Sequence, residues 1–259
     1  MSFRSAFLAS SFLLAACGAS APGESQAQDS ALTDAEFDKR LQEALMRNPE
    51  FILEAVEAYR QKMESEAGVA TREAIANVFT ELKSAQSGHA IGARAEDADV
   101  IVIEFFDYHC GFCKRAVDDV LSLASDNQSV RIVFQELPIL REESRDAAII
   151  ALAAGQISNE TYKSVHRQFM QTSGIIDEQR LNGIISKAGV SPGEINKAKK
   201  DNADTIEKRL NRSVEIARQI GITGTPAFIV SKADGSDFRL IEGYQPEVLS
   251  QAVETMLGS

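Results

Sequence analysis

The chain has 259 residues, 44% of them apolar, which suffices for one domain of ordinary size, an appendage and a sizeable core. Its formal net charge of −11 argues against a nucleic-acid partner, because phosphate binding needs concentrated Lys and Arg. Beyond the N-terminal segment no apolar run reaches the length of about 18 residues that marks a membrane span, and no internal repeat is legible.

Arg4 precedes an apolar run from Ala6 to Ala16, too short to span a bilayer but suited to the core of a secretory signal. The run ends in Leu14-Ala15-Ala16-Cys17-Gly18, which resembles a bacterial lipobox, where the cysteine is lipidated and becomes the mature N-terminus. The alternative is an ordinary signal peptide cut later, for instance after Ala27, with Cys17 discarded. Both predict an exported protein, in surroundings where disulfides form and exchange.

Residues 18–30, rich in Ser, Ala, Gln and Gly, read as a flexible tether. Residues 31–87 read as a helical block. Thr33-Asp34-Ala35-Glu36 is a capping box, and Asn48-Pro49-Glu50 restarts a helix with Asn as cap. Its apolar stripes are Phe51, Ile52, Ala55, Val56, Tyr59 and Met63, then Ile75, Val78, Phe79 and Leu82. These faces need a partner, either the domain that follows or a second copy of the chain.

From Ala98 the pattern changes. Val100 to Phe106 is an almost unbroken apolar run, as expected of a strand buried on both faces, and Ser129 to Phe134 is a second strand. With the helix between them they predict a right-handed strand–helix–strand unit with parallel strands. Residues 141–220 read as a helical insertion, with caps at Ser158, Asp177 and Ser191. Two strands follow, Ala227 to Ser231 and Phe238 to Ile241, around an Asp234-Gly235 hairpin turn, and a final helix runs from Glu247 to Met256.

Cys110-Gly111-Phe112-Cys113 lies where the first buried strand hands over to a helix. Cys110 then sits at a helix N-terminus, whose free N–H groups and dipole favour a thiolate. A free thiol of pKa about 8.5 is only about 3% ionised at neutral pH, so such a shift matters. Cys113, one turn on, is placed to attack a mixed disulfide on Cys110. Cys110 is therefore read as nucleophile and Cys113 as resolving thiol. A static disulfide, half of a zinc site and soft Cu(I) binding are the competing readings.

Glu104-Phe105-Phe106-Asp107-Tyr108-His109-Cys110-Gly111-Phe112-Cys113-Lys114 resembles the active-site segment of the DsbA-like thioredoxin-fold family. Gly224-Thr225-Pro226-Ala227-Phe228 resembles its cis-proline loop. The likeness covers residues 88–259. The block at 31–87, with Arg47-Asn48-Pro49-Glu50, is similar to the N-terminal region of the ScsC (suppressor of copper sensitivity) branch. The resemblance implies an α/β thioredoxin-like fold with a helical insertion, behind an N-terminal helical arm that joins copies into a homo-oligomer. It implies a cis Thr225-Pro226 bond facing the thiols, with Phe112 beside it at the substrate. It also implies Glu104 as a buried acid that moves the Cys113 proton; otherwise Glu104 is a partly exposed strand-end residue. No cofactor or metal is implied. The partners are exported protein substrates and a membrane redox partner, in the periplasm, with a lipid anchor if Cys17 is modified.

The family's strong oxidants often carry Pro-His between the cysteines; Gly111-Phe112 is closer to the Gly-Tyr of periplasmic isomerases. That favours an isomerase or reductase over a dithiol oxidase, with a Cu(I)-binding or holdase protein as the rival of another class. His109 is either a partial substitute for the missing histidine or a surface residue without electronic role. His89 and His166 read as incidental.

Overall fold

A computed structural model describes residues 33–258. The described chain divides into two compact units after Arg60. The signal segment, the tether and Cys17 lie outside the described residues.

The first unit holds α1 (Asp34–Arg47) and the start of α2 (Glu50–Lys83). Thr33 and Glu36 cap α1 reciprocally, with Glu36 N donating to Thr33 Oγ1 at 3.4 Å and Thr33 N to Glu36 Oε2 at 3.1 Å. Asn48 does not cap the next helix as its position suggests. Its backbone N and its Nδ2 both donate to Ala44 O, each at 3.0 Å, so it closes α1 instead. The orphan carbonyls at the end of α1 compete successfully for it. No residue of α1 is buried, and Phe51, Ile52, Leu53, Val56 and Tyr59 of α2 are exposed.

In the second unit α2 continues unbroken to Lys83. A five-stranded sheet follows, formed by β1 (His89–Gly92), β2 (Val100–Phe106), β3 (Val130–Glu136), β4 (Ala227–Lys232) and β5 (Phe238–Glu242) in the order β1-β3-β2-β4-β5. β2 and β3 are parallel across α3 (Gly111–Asp126), while the other pairs are antiparallel. The short edge strand β1 has no counterpart in the sequence reading: four residues with one large aliphatic side chain carry too little alternation. Gly235 takes φ 77° in the hairpin between β4 and β5, which suits a residue without Cβ.

Between β3 and β4 stand α4 (Glu142–Ile157), α5 (Asn159–Gln171), α6 (Glu178–Lys187), α7 (Pro192–Asp201) and α8 (Ala203–Gln219), and α9 (Pro246–Leu257) ends the fold. Ser158, Asp177 and Ser191 each accept an N–H at their helix starts. β2 is buried along all seven residues because both sheet faces are covered. Val100, Val102 and Phe106 face a core built with Val117 and Val120 of α3, helices of the insertion, and Leu249 and Val253 of α9. Ile101, Ile103 and Phe105 face a second core with Ile75, Val78, Phe79 and Leu82 of α2, Ile216 of α8 and Ile220 just after it. Strand alternation sends the two sets to opposite sides.

Candidate active site

β2 ends in a turn that delivers Cys110 as the N-cap of α3. Cys110 N donates to Asp107 O at 3.0 Å, and the Cys113 N–H reaches Cys110 Sγ at 3.4 Å. Cys110 is thus seated where helix N–H groups have no carbonyl of their own. Its thiol donates to the Thr225 carbonyl at 3.2 Å, and Thr225-Pro226 is a cis peptide. Both thiols are free. Cys113 is fully buried under Cys110.

Their acidities are driven apart. The Cys110 thiol is lowered from 9.0 to about 5, first by its hydrogen bond with Cys113, with help from Thr225 and from the N–H groups of Cys113 and Phe112, against the opposing effect of burial. Burial pushes the Cys113 thiol far up, reinforced by its bond to Cys110 and by the charges of Glu104 and Cys110. Glu104 is 1% exposed, which removes the alternative of a partly exposed strand-end residue. Burial, and then the negative charge of Cys110, raise it from 4.5 to about 8. Among the described residues its Oε1 has no hydrogen-bond partner.

The fold therefore gathers Glu104, Cys110, Cys113, Phe112, Thr225 and Pro226, which come from two segments more than a hundred residues apart. Phe112 is 56% exposed and shares a cleft with Thr225, Pro226 and Tyr244. The guanidinium of Arg115 lies over its ring, 4.2 Å from the centroid. Among the described residues no group of three or more His, Cys, Asp or Glu side chains could hold a metal ion.

Other polar residues around the site escaped the sequence reading. Asp107, directly after β2, is 1% exposed and accepts four hydrogen bonds, from His109 N, Ser144 Oγ, Ile139 N and Leu140 N. Glu136, at the end of β3, is buried and accepts from Tyr108 and Tyr162 hydroxyls at 3.2 Å each. Burial raises its carboxyl well above the ordinary range. Nor are the histidines incidental. His166 Nδ1 lies 3.1 Å from the Tyr108 hydroxyl, and His89 stacks on Tyr162. Burial lowers both, His89 to about 4 and His166 well below the ordinary imidazole value. The one available signal was a run of polar side chains at the ends of otherwise apolar strands.

A family model described as a DSBA-like thioredoxin domain matches residues 101–254. The fold is similar to that of the thiol–disulfide exchange protein alpha-DsbA2 from Wolbachia pipientis, with 28% identity, a TM-score of 0.66, and coverage of 74% of this chain and 98% of that one. It is also similar to the catalytic domain of Proteus mirabilis ScsC, with 25% identity, a TM-score of 0.60, and coverage of 73% and 99%. A curated sequence, the Na(+)/H(+) antiporter NhaA 1 of Salinispora arenicola, is 27% identical over 169 residues; the chain spans 24% of its length and matches it over 64% of its own. Among the described residues no helix is long and apolar enough to cross a membrane.

Proposed function

Since the chain belongs to the DSBA-like thioredoxin domain family and is a thiol–disulfide oxidoreductase of the DsbA and ScsC type, we propose that it serves exported proteins as a disulfide isomerase or reductase through Cys110 and Cys113. The observation that carries the exchange chemistry is the acidity split within one helical turn, an N-capping Cys110 lowered to about 5 above a buried Cys113 raised far beyond it, and the choice of isomerase or reductase rests on Gly111-Phe112 between the cysteines.

Cys110 thiolate attacks one sulfur of a client disulfide. A Cys110–client disulfide forms, and the other client sulfur leaves as a thiolate that takes a proton from solvent. In an isomerase the freed client thiol, deprotonated again, attacks a different client disulfide, and the client thiolate displaced there attacks the client sulfur of the mixed disulfide, so that Cys110 leaves as a thiolate. In a reductase Cys113 gives its proton to Glu104 and attacks Cys110 Sγ. The second client thiolate leaves; the client gains two electrons and the Cys110–Cys113 disulfide forms. The coupling between Glu104 and Cys110 supports this order. While Cys110 is a thiolate its charge helps keep Glu104 protonated. Once Cys110 is in a mixed disulfide that charge is gone, and Glu104 gives up its proton more readily, so that a carboxylate is available to accept when Cys113 needs it. The cleft of Phe112, Thr225 and Pro226 would hold the extended client segment.

The same reading has the chain exported to the periplasm, anchored through Cys17 by a lipid, and kept reduced by a membrane redox partner. Residues 31–87 would join copies into a homo-oligomer, supported by the exposed Phe51, Leu53, Val56 and Tyr59. Protein lacking residues 1–29 should rescue a scrambled-disulfide substrate when reduced. Fast oxidation of a dithiol substrate without rescue would make it an oxidase. Activity in neither assay, with tight stoichiometric Cu(I) binding, would move it to the metal-binding class.

A further inference from the structure

His109 immediately precedes Cys110, and its side chain is 4% exposed. The backbone N–H of Ile176 donates to its Nε2 at 2.9 Å, its Nδ1 lies 2.8 Å from Ser144 Oγ, and Ser144 Oγ donates to Asp107 Oδ1 at 2.7 Å. The two ends of this chain fix every proton in it. A backbone N–H can only donate, so Nε2 is the bare nitrogen. A carboxylate only accepts, so the Ser144 hydroxyl points at Asp107 and its oxygen is left to accept from Nδ1–H. Both ends demand one tautomer. Asp107 also accepts the backbone N–H of His109 at 2.7 Å, and its own carbonyl receives Cys110 N. The chain thereby joins three segments remote in sequence: the turn carrying Cys110, the start of α4, and the loop before α6. The surface reading of His109 does not survive, since the ring is enclosed and its hydrogen bonds run to the insertion. Burial lowers its pKa, with Lys114 and Arg141 acting in the same direction against Asp107 and Glu143.

We propose that His109 is a positioning residue for disulfide exchange, held as the neutral Nδ1–H imidazole so that one polar chain couples the Cys110 turn to the helical insertion. It acts through the backbone. With the turn held, the first N–H groups of α3 stay aimed at Cys110 Sγ, and the insertion stays registered against the site. The inference rests on Cys110 as nucleophile and adds the group that holds it.

The test uses otherwise full-length protein. Nitrogen NMR of histidine-labelled wild type should find His109 neutral and protonated on Nδ1. His109→Leu should raise the Cys110 thiolate midpoint, read by ultraviolet absorbance, and slow exchange with a peptide disulfide by about tenfold. His109→Gln, whose amide oxygen can accept from Ile176 N–H, should recover about threefold of that loss or more. Ser144→Ala, one link further from Cys110, should move the midpoint in the same direction and serves if His109→Leu does not fold. A ring protonated on Nε2 would overturn the proposal. So would a His109→Leu protein whose thermal midpoint falls while the Cys110 titration and exchange rate stay as in wild type. Wild type that exchanges no disulfide would overturn the reading of Cys110 as well.

Discussion

Cys110 and Glu104 respond to pH in opposite senses, and the charge of one acts on the other. The folded value of Cys110 lies below its ordinary 9.0, so its contribution to the reduced fold is complete above about 9 and is lost as pH falls to about 5. The folded value of Glu104 lies above its ordinary 4.5, so its contribution is complete below about 4.5 and is lost as pH rises to about 8. Urea unfolding of the reduced protein should therefore show a wild-type advantage over Cys110→Ser that grows with pH across that window. Against Glu104→Gln it should shrink. In exchange kinetics Glu104→Gln should lower turnover about tenfold or more with the fold intact, a general acid–base effect; unchanged turnover would remove Glu104 from the mechanism. Cys110 was legible in the sequence because a cysteine pair after a buried strand is a local anomaly, and Glu104 through the likeness of its segment to the family's active site. Asp107, Glu136, Tyr108 and the enclosed histidines were not. Each is ordinary in its own segment, and its partner arrives from a helix dozens of residues away.

At the scale of elements, the two stripes of α2 have different surroundings. Ile75 and Leu82 are fully buried against the sheet, while Val56 and Tyr59 are exposed. Leu82→Ala should cost about 2–5 kcal/mol in denaturant unfolding, as transfer and cavity terms add. Val56→Ser should stay within about 0.5 kcal/mol for a dilute, unassembled chain, because its side chain is not in a core. Both stripes look alike as sequence patterns. Periodicity reports which face is apolar and is silent about what covers it. Four of the five strands and most helix starts were readable for the opposite reason: apolar runs, Ser or Asp caps and the Asp234-Gly235 turn are local devices that the tertiary structure left in place. Asn48 was the exception, drawn to the carbonyl behind it.

In the molecule as a whole, the sheet separates two bodies of side chains that share β2. Glu104, Cys110, Cys113 and the Glu136 cluster go with the layer formed by α3, α9 and the insertion. The buried turns of α2 and the end of α8 go with the other. If the exposed α2 stripe joins copies, Val56→Asp with Tyr59→Asp should lower the mass in sedimentation and the rescue of scrambled substrate together. Single-turnover reduction of a peptide disulfide should persist within about twofold, since distant sites act additively. Loss of rescue at unchanged mass would break that link.

The alternation of β2 also has a consequence for descent. Its even-numbered side chains answer to the thiols and its odd-numbered ones to α2, with the backbone ladder fixed between them. A substitution in one layer leaves the packing partners of the other in place, so the two layers can drift under separate constraints. Constraint from the thiol layer and constraint from the α2 layer then act on alternate residues of one strand.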